Sequence, residues 1–288
     1  MCIAVFLWRA HPVYPFLLLL NRDEYHSRPT EPLAWWDGGE ILGGRDGLAG
    51  GTWLACSRDG RLAFLTNVRE VQLIPQAKTR GDIPVLFLKG DNLFAKAMGS
   101  VMPSLNIVYK IKSQKSPMEF AEEVVKDADQ YNGFNLILAD LCAKTMVYVT
   151  NRQKEGEKLV ADVLPGIHVL TNARLDSPWP KRLRDNFKEL VHKYGDGEFP
   201  IKEMVEKLMT DTTKDEESPL PHIYSPSREY YLSSIFVDEE TNPLGHYGTR
   251  STSAVSVKTN GEVSFYEKYL ENEQWKEQTV IYRIEERN

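Results

Sequence analysis

The chain has little cysteine: Cys2, Cys56 and Cys142 are the only three in 288 residues. Such few and scattered cysteines exclude a disulfide framework, and the absence of CxxC spacing gives structural zinc no support. A reducing compartment therefore suits the chain best. Cys56 and Cys142 lie in apolar, strand-like sequence, so we expect both to be buried small side chains.

Long apolar runs are also missing, since none approaches the ~20 residues that cross a bilayer. The two apolar stretches near the start, Ile3–Trp8 and Phe16–Leu20, are separated by Arg9, His11 and two prolines. No charged segment precedes the first and no small-residue cleavage site follows the second, unlike a secretory signal. We expect two strands joined by a turn, in a soluble protein without a transmembrane segment.

The chain has no excess of basic residues, because 35 Lys and Arg stand against 41 Asp and Glu, a net charge of −6. Proteins that bind nucleic acid gain much of their affinity by neutralising phosphates, so no nucleic-acid partner is expected. The six histidines never fall at metal-ligand spacing, and we expect neither a metal nor a cofactor. The glycine-rich stretch Gly43–Thr52 matches neither GxGxxG nor the P-loop, and is expected to be a loop with glycines at positive φ.

What the sequence does contain is a series of short apolar runs around turn residues, which predicts antiparallel strands. The predicted strand pairs are Cys2–Trp8 with Tyr14–Leu20, Thr52–Cys56 with Leu62–Thr66, Phe134–Ala139 with Met146–Thr150, and Ala254–Val257 with Val263–Tyr266. The last pair flanks Asn260-Gly261, a strong hairpin signal. Runs that are apolar on both faces favour sheets covered on both sides.

Three helices are predicted between these hairpins. Ser116, followed by Pro117 and by Glu119, forms a capping box that begins the first. The second begins at Pro180 and ends at Gly195, and the third covers Ile201–Met209. Hairpins separated by packing helices, without regular βαβ alternation, favour antiparallel sheets with helices stacked outside them.

Cys2 is the residue most suggestive of chemistry. If the initiator methionine is removed, Cys2 carries both a thiol and a free α-amine that titrates near pH ~7.7–8.0. Nucleophile and base then belong to one residue. The alternative is that a small second residue carries no chemistry at all.

Polar residues follow the second predicted strand, in the tetrapeptide Asn21-Arg22-Asp23-Glu24. In one interpretation it is a solvated turn. In the other, the hairpin folds Arg22 and Asp23 back beside Cys2, where an arginine lowers the pKa of the thiol and a carboxylate holds the α-amine.

Two asparagines, Asn67 and Asn172, each follow Leu-Thr at the end of a predicted strand. An asparagine amide there can donate an N–H to a developing oxyanion, or it can belong to an ordinary turn. Arg250 precedes a strand and is either an anion-binding residue or a surface arginine.

Taken together, several segments resemble the NRDE family, the transport and Golgi organisation family, most closely in its plant branch. They are Met1-Cys2-Ile3, Asn21–Glu24 with Ser27–Pro29, Gly50–Leu54, Leu65–Asn67, Tyr131–Leu136, Asn172-Ala173 with Ser177–Trp179, and Tyr247–Arg250. They cover nearly the whole chain in order, so 1–288 is interpreted as a single domain of this family. The resemblance also implies an insertion around 89–112, between elements that adjoin in relatives.

The resemblance implies an N-terminal-nucleophile hydrolase-like fold of α+β type: a four-layer αββα sandwich of two antiparallel sheets. It also implies catalytic roles for Cys2, Arg22, Asp23, Asn67 and Asn172, by similarity to hydrolases that cleave amides. Ligand contacts would come from Asn21, Glu24, Trp53 and Arg250. Those hydrolases separate their arginine and aspartate, whereas Arg22 and Asp23 are adjacent. Adjacent strand residues point to opposite faces, so both can face Cys2 only if the strand has ended or bulges.

Two functions therefore stay open. The first is a protein that binds a small amphiphilic ligand (acyl-CoA, lipid or haem) in the cleft between the sheets. The resemblance associates it with Golgi organisation, secretion, lipid metabolism and haem trafficking, in the cytoplasm, the mitochondrion or at the Golgi. The second is an N-terminal-cysteine amidohydrolase that acts on a non-peptide C–N bond through Cys2. Whether the chain is an enzyme is not decided by its sequence.

Overall fold

A computed structural model describes residues 2–90, 115–152, 156, 158–215, 223–238, 240–242 and 245–285. From residue 91 onward, the insertion expected around 89–112 lies outside these ranges. All statements on the structure concern the described residues.

Fourteen strands lie within these ranges. In chain order they are β1 (Cys2–Trp8), β2 (Phe16–Tyr25), β3 (Thr30–Trp35), β4 (Ile41–Asp46), β5 (Leu54–Ser57), β6 (Arg61–Asn67), β7 (Phe134–Asp140), β8 (Thr145–Thr150), β9 (Val160–Asp162), β10 (Gly166–Leu170), β11 (Glu240–Asn242), β12 (Gly245–Val257), β13 (Glu262–Glu271) and β14 (Gln274–Arg283). They form two sheets, one ordered β10-β1-β2-β12-β13-β14 with β11 on β12, the other β3-β4-β5-β6-β7-β8-β9. Every pairing between these strands is antiparallel.

The helices are α1 (Asp82–Lys89), α2 (Pro117–Lys126), α3 (Lys181–Tyr194), α4 (Ile201–Leu208) and α5 (Pro226–Tyr231). The three helices predicted from the sequence correspond to α2, α3 and α4. The capping box before α2 is present in both directions, because Ser116 Oγ accepts from the Glu119 N–H and Glu119 accepts from the Ser116 N–H. Such a cap satisfies donors that the first turn would otherwise leave unpaired.

Apolar side chains arrange these elements in four layers. On the first sheet, Ile3 and Val5 of β1 pack against Leu183 and Phe187 of α3. The space between the sheets is filled by side chains from both of them: Phe6, Trp8, Phe16, Leu18, Phe64, Ile137, Val255 and Phe265. The outer face of the second sheet is covered by α1 and α2 through Ile83, Phe87 and Ala121. The predicted αββα sandwich of two antiparallel sheets is therefore confirmed.

The second strand is longer than predicted. It extends beyond Leu20 to Tyr25, so Asn21-Arg22-Asp23-Glu24 is strand rather than a turn. The tetrapeptide stays in the sheet because β2 pairs with β1 on one side and with β12 on the other. Its polar side chains find partners inside the protein, which offsets the cost of burying them.

The glycine-rich stretch is also different from the loop we expected. Gly43 and Gly44 belong to β4, and a Cβ on Gly44 would overlap the indole of Trp53. Gly51 lies against the backbone of Gly81, where no Cβ fits, while Gly50 does have a positive φ of 76°. Close packing, more than positive φ, explains these glycines.

The two distal cysteines have different environments. Cys56 is buried in β5, and this burial raises the pKa of its thiol to about 12. Cys142 is exposed, so the expectation of a buried side chain was wrong there. It follows the end of β7 in the turn to β8, where the apolar run has already stopped.

Candidate functional site

The antiparallel register of the first two strands places Cys2 directly opposite Arg22. Both side chains project into the space between the sheets, on the face that carries Ala4 and Leu20. Here, at one end of that space, a cavity of about 140 Å³ opens. The Cys2 cavity is lined by Cys2, Arg22, Asp23, Glu24, Arg28, Asp46, Gly51, Thr52, Trp53, Leu65, Asn67, Thr79, Arg80 and Gly81.

Cys2 is buried, with 8% of the residue exposed. Its burial raises the pKa of the thiol, and this outweighs the positive charge of Arg22 and a hydrogen bond from the Asp23 backbone, both of which lower it. The thiol is therefore neutral near pH 7. Reactive cysteines usually occur where the pKa is lowered, so this cysteine becomes a nucleophile only if a base removes its proton.

Arg22 is held on three sides. Its guanidinium stacks on Trp53 at 4.2 Å from the ring centroid. Nη1 donates to Thr30 Oγ1 at 3.2 Å, and Nη2 lies 3.8 Å from Asp46 Oδ2. Stacking on an indole suits the planar guanidinium, which stays charged when it is buried. The result is a fixed positive charge opposite Cys2.

Asp23 is anchored on the other face of β2. Its Oδ1 accepts from Thr249 Oγ1 at 2.6 Å, and Thr249 Oγ1 accepts from the Val237 N–H. Val237 belongs to the core under α3 and α4, so the Asp23 carboxylate and the Arg22 guanidinium lie on opposite faces, as strand geometry requires. Burial raises the pKa of Asp23 to about 6.

The two asparagines come together although 105 residues separate them. Asn67 ends β6 and lines the cavity. Asn172 follows β10, and its Nδ2 donates to the backbone carbonyl of Asn67. Asn172 thus fixes the position of Asn67 at the cavity wall, while its own Oδ1 is buried without a partner among the described residues.

Arg80, Arg28 and Asp46 are cavity residues that sequence reasoning missed. Arg28 Nε contacts Asp46 Oδ2 at 2.6 Å, whereas Arg80 Nη1 donates to the carbonyl of Gly133 at 2.8 Å. Within the described ranges, no carboxylate lies at ion-pair distance from Arg80. The sequence offered only a weak signal, an arginine before the Gly81 that precedes α1.

Comparison with known proteins places the chain in a family. The sequence model described as Transport and Golgi organisation 2 matches residues 1–272. The chain belongs to the Transport and Golgi organisation 2 family. A Transport and Golgi organization protein 2 homolog from Bos taurus is 32% identical over 302 residues, covering 99% of this chain and 100% of that protein.

Two solved structures are similar to this family member at low sequence identity. The N-acylethanolamine-hydrolyzing acid amidase ortholog of Caenorhabditis elegans has 12% identity and a TM-score of 0.39, covering 88% of this chain and 92% of that one. A mutant conjugated bile acid hydrolase from Clostridium perfringens has 9% identity and a TM-score of 0.43, covering 97% and 96%.

Two residues predicted as ligand contacts in this family member do not line the Cys2 cavity. Asn21 points to the helical layer, where its Nδ2 donates to the carbonyls of Met209 and Ile235 at 2.8 and 2.9 Å. It therefore ties β2 to the segments outside the sheet, and its predicted ligand contact is not supported by this geometry. Arg250 lines a neighbouring cavity of about 240 Å³ instead. Glu24 and Trp53 do line the Cys2 cavity.

The rim loop, residues 68–78, connects two cavity residues, Asn67 and Thr79. It exposes three apolar side chains: Val71 is 80% exposed, Leu73 63% and Ile74 41%. Its tip is held by a hydrogen bond from the Ile74 N–H to Asn132 Oδ1 at 2.7 Å. The cavity residue Arg80 donates to the carbonyl of Gly133, the next residue after Asn132, so the rim loop and the cavity wall meet at this turn.

Two kinds of feature are absent from the described ranges. No helix found there is long and apolar enough to cross a bilayer. Nor do three His, Cys, Asp or Glu side chains in those ranges lie together where they could hold a metal ion.

Proposed function

We propose that the chain binds a small amphiphile, with an oxygen-bearing head in the Cys2 cavity and an apolar tail along the rim loop. The observation that carries this proposal is that Arg80 lies near the exposed apolar side chains of the rim loop. Arg80 has no carboxylate partner among the described residues. Handling such a ligand is consistent with the lipid or haem roles, and with the part in secretion, that the family resemblance implies.

The head group is recognised by Arg80 and Arg22. Arg80 has no carboxylate within ion-pair distance among the described residues, and Arg22 shares Asp46 with Arg28 at a longer distance, 3.8 Å. Two guanidinium groups with spare donors in a partly desolvated cavity are expected to bind a carboxylate, carbonyl or phosphate oxygen. The neutral thiol of Cys2 adds no negative charge that would repel it.

The tail cannot extend between the sheets, because that space is packed in the described structure. We expect the tail to lie instead on the rim loop, which follows Asn67 at the cavity wall and exposes Val71, Leu73 and Ile74. Covering these side chains removes apolar surface from water, and that stabilises a bound acyl chain by roughly 25 cal/mol per Å².

The test is a calorimetric titration with decanoate and acetate. Wild-type protein is expected to bind decanoate at least ~10-fold more tightly than acetate, since each fully buried methylene contributes about 0.8 kcal/mol. Arg80→Gln is expected to weaken decanoate binding ~10-fold or more, because hydrogen bonds to charged groups are worth about 1.5–3 kcal/mol. Arg9→Gln is the matched control, since Arg9 is exposed beyond the opposite end of β1.

A second pair of variants examines the tail. Leu73→Ser should reduce the preference for decanoate over acetate, whereas Leu164→Ser, which changes a leucine 71% exposed elsewhere, should not. Equal affinities for decanoate and acetate would contradict the proposal.

The second candidate is an amidohydrolase, and it is favoured by the convergence of Cys2, Arg22 and Asn67 on one cavity. If methionine removal exposes the α-amine of Cys2, that amine can take the proton of the thiol while the sulfur attacks the amide carbonyl. The protonated α-amine then gives this proton to the substrate nitrogen as the C–N bond breaks, and the acyl group stays on sulfur as a thioester. Water then releases the acyl group from the thioester. Asn67, positioned by Asn172, is the candidate oxyanion donor.

Intact-mass measurement combined with a hydrolysis assay tests this candidate. Hydrolysis requires that the purified protein lack its first methionine, and that Cys2→Ala abolish release of an amine from N-decanoyl amides. Retained methionine, or equal turnover by wild type and Cys2→Ala, would reject it. Decanoate binding by Cys2→Ala is expected to persist in either case, because the arginines remain.

A further inference from the structure

A second cavity of about 240 Å³ lies beside the Cys2 cavity, and Arg22 and Arg28 line both. The second cavity also contains Arg250 and Ser251 from β12 and Glu267 from β13. The two cavities are thus adjacent spaces separated by the fixed Arg22 guanidinium.

A β-bulge supplies the main cation of this second cavity. In the pairing of β12 with β2, Thr249 lies opposite Asp23 and Ser251 opposite Arg22, so Arg250 is an extra residue on β12. A bulge leaves one residue outside the ladder and re-aims its side chain. The bulge brings the guanidinium of Arg250 beside that of Arg22, where both reach the hydroxyl of Thr30.

Arg22 and Arg250 are held close together. Both donate from Nη1 to Thr30 Oγ1, at 3.2 and 3.3 Å. No carboxylate in the described ranges lies within ion-pair distance of Arg250, whose Nη1 also donates to backbone carbonyls of Tyr25 and Arg28. Two like charges kept this near each other favour an anion between or beside them.

Unsatisfied polar atoms are present in the same cavity. Ser251 is 3% exposed, and its Oγ is buried without a hydrogen-bond partner in the described structure. Arg250 Nε is buried and unpartnered in the same sense. Buried donors of this kind normally have partners, so each favours a ligand that accepts hydrogen bonds.

Two carboxylates also line the cavity, and both are engaged elsewhere. Glu267 Oε2 accepts from the Leu33 N–H at 2.6 Å and from Gln278 Nε2 at 3.3 Å. Glu271 pairs with Lys276 on the neighbouring strand. Because these two carboxylates have other partners, the guanidinium groups of Arg22 and Arg250 are available to an anion.

We propose that this second cavity binds an acidic group, phosphate or carboxylate, carried by the same ligand whose head occupies the Cys2 cavity. The inference rests on the proposed function and narrows it to amphiphiles that carry an acidic group besides the head. Recognition uses the guanidinium of Arg250, the hydroxyl of Ser251 and the shared Arg22. A simple fatty acid fills only the first cavity.

The experiment compares decanoyl-CoA, which carries phosphates, with decanoate, which has a single acidic group. Arg250→Gln is expected to weaken decanoyl-CoA binding ~10-fold and to leave decanoate affinity unchanged. Ser251→Ala should act in the same direction with a smaller effect. Pyrophosphate and malonate are also titrated directly into wild type and Arg250→Gln. Binding of pyrophosphate that Arg250→Gln abolishes identifies the group as phosphate, and the same result with malonate identifies it as carboxylate.

Arg9→Gln is again the control, and thermal unfolding shows that each variant is folded. Equal weakening of both decanoyl ligands by Arg250→Gln would overturn the second subsite, as would no weakening of either. If decanoate and decanoyl-CoA both fail to bind while one anion still binds through Arg250, the second subsite stands and the amphiphile proposal fails. If decanoate binds but no anion binds through Arg250, the amphiphile proposal stands and the second subsite fails.

Discussion

Replacing Arg69 by methionine is expected to lower the free energy of unfolding by about 3–5 kcal/mol. Arg69 lies just inside the rim loop, and its Nη1 contacts Glu229 Oε2 at 2.8 Å. The two side chains are only 6% and 1% exposed, so the substitution leaves a buried carboxylate without its cation. Urea unfolding monitored by circular dichroism measures the change.

A second substitution separates charge from packing. Glu229 Oε1 also accepts from the N–H groups of Ile223 and Tyr224, contacts that a glutamine oxygen can keep. Arg69→Met with Glu229→Gln should therefore recover much of the loss, because no uncompensated charge remains. A loss below ~1 kcal/mol for Arg69→Met, or a double variant no more stable than the single one, would contradict this explanation.

Replacing Asp23 by asparagine should stabilise the protein at neutral pH. Burial raises the pKa of Asp23 from its ordinary 3.8 to about 6, so the folded state binds a proton more tightly than the unfolded state. The stability that this tighter proton binding gives the folded state is fully present below about pH 4, and it is lost as the pH rises through 6. Above that point the buried carboxylate destabilises the folded state by about 3 kcal/mol, which the neutral amide avoids.

The measurement is the free energy of unfolding of both proteins between pH 4 and 7.5. The advantage of Asp23→Asn over wild type should grow by about 3 kcal/mol across this interval. Asp185→Asn, at an exposed position of α3, is the control and should show no such growth. If the difference in free energy of unfolding between Asp23→Asn and wild type did not change with pH, the pKa of Asp23 would be the same in the folded and unfolded states. That result would contradict the claim that burial of the carboxylate destabilises the folded protein.

A stabilising substitution at this position would also be informative about function. Residues of a site are often retained although they lower stability, because the site needs their charge. Asp23 contacts Thr249, one residue before the bulge that presents Arg250. The carboxylate thus lies next to the backbone irregularity on which the second cavity depends.

Much of the fold was predictable because its signals are local. The capping box at Ser116 and the turn at Asn260-Gly261 specify their elements within a few residues, and both are present. The length of β2 was not predictable, since Asn21 and Asp23 look solvent-exposed in sequence. Their partners, Met209, Ile235 and Thr249, lie nearly 190 residues or more along the chain.

The residues of the candidate site also fall into those that local sequence signals predict and those that they do not. Cys2 and Arg22 could be paired from a hairpin register alone, and the structure places them opposite each other. Arg80 was not predicted, because its place at the cavity involves contacts with segments distant in sequence: the adjoining Gly81 packs against Gly51, and Arg80 itself donates to the carbonyl of Gly133. The position of Arg250 beside Arg22 depends on a bulge in the pairing of β12 with β2. The sequence of one strand alone does not reveal such a bulge.

The central claim is that the Cys2 cavity holds an amphiphile intact. Equilibrium dialysis of decanoyl-CoA against wild type and Arg80→Gln, with recovery of the ligand for mass spectrometry, tests it most directly. We expect wild type to retain one unchanged ligand per chain and Arg80→Gln to retain at least ~10-fold less at limiting ligand. Cleavage of the recovered ligand, or equal retention by the two proteins, would contradict the claim.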